Sequence, residues 1–148
     1  MNDNRYDALK IENQLCFPLY AASREVIKLY KPFLDKLELT YTQYITMMVL
    51  WEYGEVNVKE LGRRLLLDSG TLTPLLKKLE AKGLITRRRS PDDERSLLVR
   101  LTSEGEQMKE DAVSIPGSIA CCMKLEPDEA RELYRMLYKM LADSIPED

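Results

Sequence analysis

Cys16 is the residue whose type and surroundings could most directly do chemistry. In a helix its side chain would share a face with Tyr20, and Tyr30, Tyr41 and Tyr44 follow along the chain. The chain has no histidine, so a thiolate here would have to be stabilised by tyrosine hydroxyls, by a helix N-terminus or by Lys and Arg. A thiolate stabilised in this way can be oxidised to a sulfenic acid. The same pattern also fits a buried, unreactive cysteine on an apolar helix face.

A second group of side chains, between residues 68 and 83, could bind an anion. Asp68 is a residue type that caps a helix N-terminus and Gly83 one that ends a helix, so a short helix is predicted between them. Its apolar face, spaced i, i+3, i+4 and i+7, consists of Leu72, Leu75, Leu76 and Leu79. Its polar faces carry Ser69, Thr71, Thr73, Lys77 and Lys78. Hydroxyls and amides can donate to phosphates and lysines can neutralise them, although an ordinary amphipathic surface helix would look similar.

The charge distribution points to a localised anionic partner. The 148 residues carry a net charge of −3, but residues 57–100 hold 11 Lys and Arg against 6 Asp and Glu. This middle segment has a balance of +5 and the remainder one of −8. A basic segment inside an acidic protein favours nucleic acid as the partner, the alternative being chance clustering on a solvated face.

Composition excludes several classes of site. Without histidine there is no Ser-His-Asp or Cys-His catalysis and no His-containing metal site, and scattered single glycines form no phosphate loop. We therefore expect no metal, no cofactor and no enzymatic activity. No apolar run reaches the roughly 18 residues of a membrane span, and the N-terminus lacks a secretion signal, so a cytoplasmic location without membrane contact is expected.

The middle of the chain predicts a helix-turn-helix followed by a β-hairpin. Thr40 with Gln43 forms a capping box for a helix that Gly54 ends near residue 53. Asn57 caps a short helix before the one at 68–83. That short helix is expected to turn Val58, Leu61, Leu65 and Leu66 inward and Arg63 and Arg64 outward. Strands over 84–89 and 96–101 flank a turn-rich tip at 90–95, which together would form a wing.

Long apolar helices are predicted on both sides of this unit. The first covers about residues 13–37, with a kink or break near Lys31 because Pro32 follows. The second runs from a cap at Thr102 to about residue 124, with a kink at Pro116-Gly117. The last covers about Pro127 to Ala142, and Pro127 suits a first helical turn.

The order of elements and three motifs resemble the MarR family of winged-helix regulators. The wing sequence Asp92-Asp93-Glu94-Arg95, followed by Leu101-Thr102, is similar to that family's Asp-x-Arg wing motif and its Leu-Thr helix entry. Residues 12–17, 20–25 and 67–74 resemble the organic hydroperoxide resistance regulator (OhrR) branch. A related branch, the thiol-based staphylococcal-type global regulators, shares the cysteine and the Leu-Asp-Ser-Gly-Thr-Leu run.

The resemblance implies a mainly α fold with a small β-wing in an obligate homodimer. Residues 10–38 and 102–146 would be dimerisation helices, and residues 40–101 the DNA-binding lobe of a single MarR-type chain 1–148. Two winged helices would bind a pseudo-palindromic double-stranded operator. The implied role is a repressor that releases its operator when organic hydroperoxides oxidise Cys16, with Tyr20 beside the sensor and Tyr30 and Tyr41 contributed by the other subunit.

The resemblance also assigns DNA contacts. Arg95 would enter the minor groove, where negative potential attracts guanidinium groups, and Asp93 would hold Arg95 in place. The remaining predicted contacts, to the major groove and the phosphates, are Asp68, Ser69, Thr71, Thr73, Lys77, Lys78 and Arg88.

The adjacent pair Cys121-Cys122 departs from the single-cysteine pattern of that branch. A two-cysteine branch of the family carries a resolving cysteine from the partner subunit at about this distance, which favours Cys121. Successive helical residues point about 100° apart, so at most one of the pair should face Cys16 well. Two small core residues, or capping of the sulfenate by an external thiol, are the alternatives.

Two other functions stay open at this point. One is a MarR-type or thiol-based global regulator that responds to a phenolic ligand or to other oxidants, with Cys16 incidental. The other is a thiol peroxidase, against which the predicted wing argues.

Overall fold

The computed structural model describes residues 5–145, which form helices around a small antiparallel sheet. Within this range the α-helices are α1 (Cys16–Leu34), α2 (Tyr41–Tyr53), α3 (Val58–Leu65), α4 (Ser69–Ala81), α5 (Ser103–Ala112), α6 (Ile115–Cys122) and α7 (Pro127–Leu141). The strands are β1 (Val56–Asn57), β2 (Ile85–Arg89) and β3 (Leu97–Leu101). Short 3₁₀ turns precede α1 and follow it at Asp35–Leu37. The predicted mainly α fold with a β-wing is confirmed.

Helix α1 runs through Pro32, so of the kink or break predicted near Lys31 the break is wrong, and the kink stays a prediction. The helix continues to Leu34 and tightens into the 3₁₀ turn Asp35–Leu37. Pro32 lies in the last turn, where the missing N–H removes one bond and little helix remains to be displaced. At the other end, Pro18 lies in the first turn, where amides have no intrahelical partner in any case.

Helix α2 begins and ends where local sequence signals predict. The Gln43 amide donates to Thr40 Oγ1 at 3.3 Å and the Thr40 amide donates to Gln43 Oε1 at 3.0 Å, which is the predicted capping box. Gly54 ends the helix with a φ of 75°, a region that glycine enters without steric penalty.

The sheet has a third strand that the sequence analysis did not predict. Strand β1 pairs with β3, Val56 lying opposite Val99, and the strand order is β1-β3-β2. The predicted hairpin of β2 and β3 is confirmed, with Ile85 opposite Leu101 and Arg89 opposite Leu97. A two-residue strand carries too little periodicity to be recognised from sequence, and only its pairing with β3 defines it.

The helix-turn-helix places α4 on a leucine-rich core. All four predicted leucines of α4 are buried, as is Leu61 of α3. Leu66, expected to point inward, is instead exposed, because it ends α3 in a left-handed conformation with a φ of 53°. Gly83 follows α4 with a φ of 75°, and the Leu84 amide returns to the Leu79 carbonyl, as in a glycine-terminated helix.

The long helix predicted after the wing is two helices, and the break precedes the expected site. Helix α5 ends at Ala112 and α6 starts at Ile115, whereas a kink was expected at Pro116-Gly117. In a continuous helix Pro116 could not donate to the Ala112 carbonyl and its ring would clash with it. A break at residues 113–114 moves Pro116 into the first turn of α6, where no donor is needed.

The core lies in the winged lobe and at its junction with α1, α5 and α6. The most deeply buried side chains are Thr46, Met47, Leu50, Leu61, Leu72, Leu76, Leu79, Ile85 and Val99. Helix α7 has no buried residue. The apolar side chains left exposed on α7 and the N-terminal segment include Leu9, Ile11, Leu15, Phe17, Tyr134, Met136, Tyr138 and Met140. The dimerisation role of residues 10–38 and 102–146 stays a prediction, since the structure describes one chain.

Candidate DNA-binding surface and cysteine site

Helix α4 presents a hydroxyl- and amine-rich face to solvent. The five predicted polar residues on it, Ser69, Thr71, Thr73, Lys77 and Lys78, are all exposed. The buried leucines on the opposite side fix the rotation of the helix about its own axis. The face can therefore meet a nucleic acid without any rearrangement of the core.

Asp68 organises the first turn of this helix. Its carboxylate accepts bonds from the Thr71 amide at 2.9 Å and from the Thr71 hydroxyl at 3.1 Å. These bonds from Thr71 hold the pKa of the Asp68 carboxyl below its ordinary value. Asp68 is thus a helix cap that orients Thr71, which is a different role from a direct base contact.

The wing tip is held by its own backbone, and Asp93 is central to it. The Arg95 amide donates to Asp93 Oδ1 at 3.0 Å, and the Ser96 amide donates to the Asp93 carbonyl at 2.9 Å. Asp93 therefore fixes Arg95 through the main chain. The Arg95 residue remains exposed.

The structure brings the wing tip and the start of α4 to one cleft. This cleft, of about 920 Å³, is lined by Asp93 and Arg95 from the wing and by Asp68 and Ser69 from the helix-turn-helix. Two basic residues of α3, Lys59 and Arg63, line it as well and were not predicted as DNA contacts. Their i, i+4 spacing on one face of a capped helix was the available signal.

Arg88 does not lie in this cleft. Its guanidinium forms a two-pronged ion pair with Glu55, with the closest contact at 3.0 Å, and lines a separate cavity of about 990 Å³ beside Arg100 and Lys109. The Arg88 side chain is still 56% exposed, so the predicted DNA contact at Arg88 stays a prediction.

Cys16 is the first residue of α1 and is exposed in the single chain. The first amides of α1 lack intrahelical partners and carry partial positive charge, and Cys16 lies beside them. Tyr20 lies one turn further, and its hydroxyl oxygen accepts a bond from Arg24 Nη1 at 3.3 Å. Cys16 and Tyr20 therefore lie one turn apart on the same helix, and the role of Tyr20 beside the sensor stays a prediction.

Tyr30 and Tyr41 meet each other in the same chain, far from Cys16. Their rings are in edge-to-face contact with centroids 5.0 Å apart, and Tyr44 packs against both. Burial raises the pKa of all three phenols, so they keep their protons at neutral pH and can act as hydrogen-bond donors. Cys16 and Tyr30 are separated by 14 residues of α1, which is roughly 21 Å along the helix axis. Within one chain these hydroxyls therefore cannot reach the Cys16 sulfur.

Cys121 and Cys122 end α6, which packs against α1. Both are exposed and, like Cys16, have free thiols. Among residues 5–145 no group of three His, Cys, Asp or Glu is placed to hold a metal ion. None of the described helices is both long and apolar enough to cross a membrane.

Known proteins are similar to this chain in both sequence and fold. The model of the transcriptional regulator family SarA/Rot matches residues 28–112. The organic hydroperoxide resistance transcriptional regulator of Bacillus subtilis (strain 168) is 52% identical over 94% of this chain and 95% of its own length. The structure of reduced AbfR bound to DNA, a protein of Staphylococcus epidermidis, has a TM-score of 0.75 at 34% identity, covering 94% of this chain and 97% of that chain. A disulfide-formed structure of AbfR has a TM-score of 0.64 at 33% identity, covering 95% and 99% of the two chains.

Proposed function

Since the chain belongs to the organic hydroperoxide resistance branch of the MarR family of winged-helix transcriptional regulators, we propose that it is a repressor. It would release its operator when an organic hydroperoxide oxidises Cys16. The observation that carries the proposal is the pairing, in one chain, of an exposed basic helix-and-wing surface with an exposed cysteine at a helix N-terminus. The relatives are regulators of transcription, not peroxidases, so the thiol would react as a signal and not for turnover.

DNA binding would use α4 and the wing in different grooves. The exposed Thr71, Thr73 and Lys77 suit the major groove and its phosphates, while Arg95 at the wing tip suits the narrower minor groove. Asp68 and Asp93 support this surface indirectly, since each fixes a neighbouring residue through hydrogen bonds. Neutralised phosphates release counterions, so the affinity should fall as salt rises.

A second copy of the chain would complete the molecule. Apolar side chains of α7 and of the N-terminal segment are exposed to water in the single chain. A twofold dimer would bury these side chains and place two α4 helices on adjacent major grooves of a pseudo-palindrome, roughly 34 Å apart. Tyr30 and Tyr41 of the partner subunit would then contact Cys16, which the roughly 21 Å along α1 prevents within one chain.

Sensing would begin with attack of the Cys16 thiolate on the distal oxygen of the hydroperoxide. The S–O bond forms as the O–O bond breaks, the sulfur loses two electrons, and the departing alkoxide takes a proton to leave as an alcohol. The product at Cys16 is a sulfenic acid.

The alternative reading is a regulator in which a phenolic ligand or another oxidant releases DNA and Cys16 is incidental. A gel shift on a DNA fragment from the promoter of the gene that encodes this chain distinguishes the peroxide sensor from the ligand-responsive regulator. We expect binding by the reduced protein, loss of binding with an organic hydroperoxide, and no loss with salicylate. The opposite response would favour the ligand-responsive regulator. The proposed location of the protein is the cytoplasm, because that is where operator DNA lies.

Cys16→Ser should bind operator like the wild type and ignore the hydroperoxide. Serine has nearly the size of cysteine but cannot be oxidised in this way. Cys122→Ser is the matched control, because it removes a second exposed thiol while leaving the proposed sensor intact. A Cys16→Ser protein that still releases DNA on oxidation would move the sensor elsewhere.

A further inference from the structure

One carboxylate joins the last turn of α4 to the first strand of the wing. Glu80 Oε2 accepts bonds from Arg87 Nε at 3.1 Å and from Arg87 Nη2 at 2.6 Å. Glu80 Oε1 accepts a third bond from the Arg87 main-chain amide at 3.2 Å. The Arg87 side chain is only 19% exposed and that of Glu80 is 38% exposed, so the guanidinium end of this link is largely shielded from water. The guanidinium lowers the pKa of the Glu80 carboxyl, which is therefore ionised at neutral pH.

The main-chain bond distinguishes this link from the other ion pairs of the wing. In the order β1-β3-β2, strand β2 lies at the edge of the sheet, and an edge strand has a row of amides without a ladder partner. Glu80, a residue of α4, accepts a hydrogen bond from one of those amides through its Oε1 atom. At the next residue, Arg88, the main chain pairs with Leu98 of β3, and Glu55 contacts only the guanidinium.

The position of the Glu80–Arg87 link in the sheet determines which part of the wing it can hold in place. Arg87 lies opposite Val99, and Val99 lies opposite Val56, so the sheet is tied at one level to β1 on one side and to α4 on the other. Beyond that level the hairpin extends to its tip, where the Arg95 amide donates to the Asp93 carboxylate and the Ser96 amide donates to the Asp93 carbonyl. The angle between α4 and the wing at Arg87 therefore determines where Arg95 lies relative to the α4 surface.

We propose that Glu80 is a positioning residue for operator binding, which fixes the wing against the DNA-facing helix through Arg87 and so sets where Arg95 enters the minor groove. The proposal rests on the proposed function, because it assigns part of the same DNA-binding surface. Glu80 itself needs no contact with DNA.

A double-mutant cycle on operator affinity tests this role. Arg95→Ala should weaken binding by roughly 5- to 150-fold, the range expected for a good groove contact. Glu80→Ala should weaken it about threefold or more in the wild-type background and less than about 1.5-fold beside Arg95→Ala, because residues that act through one contact are not additive. Glu52→Ala, which removes an exposed carboxylate from α2, is the matched control for the change in charge and should leave affinity unchanged.

Hydrogen–deuterium exchange of the free protein provides a readout that needs no DNA. Glu80→Ala should speed exchange of the Arg87 amide and its neighbours in β2, while Glu52→Ala should not. The positioning role would be overturned if Glu80→Ala lowered the affinity equally in the wild type and in Arg95→Ala, or if it left hydrogen–deuterium exchange in β2 unchanged. A wild-type protein that bound no operator would instead refute the proposed function, and the exchange result would still decide whether the link holds the wing.

Discussion

Gly105 shows how one residue without a side chain lets two parts of the fold approach each other. It lies in the first turn of α5, and a Cβ built there would be only 2.1 Å from the Leu84 carbonyl oxygen. The Gly105 carbonyl also accepts a bond from Trp51 Nε1 at 2.9 Å, which ties α5 to α2. The close approach brings the exit of α4 and the start of α5 together at the base of the wing.

Gly105→Ala should lower the free energy of unfolding by about 1–3 kcal/mol, as overpacking of a filled site usually does. The backbone of Leu84 has no freedom to move away, because its amide and carbonyl are both hydrogen-bonded. Urea unfolding at fixed protein concentration, followed by the fluorescence of Trp51, measures the effect. Gly117→Ala is the control, since a Cβ there meets nothing within 4 Å. Equal stability of the two variants would contradict the close approach.

Helix α4 depends on its cap for the geometry of its first turn. Both oxygens of the Asp68 carboxylate are bound by Thr71, one by the amide and one by the hydroxyl. An exposed helix cap contributes to the stability of the folded chain only while its carboxyl group is ionised or can still accept these hydrogen bonds. Thr71, a proposed DNA contact, is bound directly by this carboxylate, so the protonation state of the Asp68 carboxyl affects both the cap and the position of Thr71.

Acid should remove the contribution of Asp68. Its pKa is lower in the folded chain than its ordinary value of 3.8, so the stabilisation is complete above that value and is lost as pH falls through the folded pKa. Asp68→Asn keeps an acceptor for the Thr71 amide but cannot titrate, so its stability relative to the wild type should rise between pH 5 and pH 3. Urea unfolding at both pH values measures this difference. A constant difference would remove Asp68 from the acid response.

At the scale of the whole molecule, oxidation must be converted into a change of geometry. The three thiols lie on α1 and α6, and the proposed DNA contacts lie on α4 and the wing. A sulfenic acid at Cys16 condenses with a thiol to form a disulfide and water, which requires Cα atoms within about 7 Å. If the second thiol belongs to the partner subunit, the bond draws α6 of one chain towards α1 of the other. The spacing of the two winged lobes would then no longer match adjacent major grooves.

Oxidised wild-type protein should therefore run as a covalent dimer on a non-reducing gel, and a reducing agent should restore the monomer band. Cys121→Ala should lose that band and stop at the sulfenic acid or oxidise further, because no resolving thiol remains at the favoured position. Cys122→Ala is the matched control. A crosslinked dimer that persists after both residues are changed to alanine would refute this resolving step.

Local sequence was enough to predict the helices of the winged lobe and its hairpin. The caps at Thr40, Asn57, Asp68 and Thr102 and the glycine at Gly54 act over four residues or fewer, so their effect can be recognised without knowing the fold. The leucine face of α4 was predictable for the same reason, since its period is that of one helix. The candidate cysteine and the polar residues of α4 followed from residue type, spacing and the resemblance to a family.

Only the tertiary structure decided which separate segments meet. It paired β1 with β3, which lie more than 40 positions apart in the sequence. It also tied Glu80 to Arg87, although nothing in the local pattern of either segment indicates the partner. These outcomes depend on contacts between residues far apart in sequence or on the burial of a whole face. Their free energy comes from packing that exists only once the chain has folded.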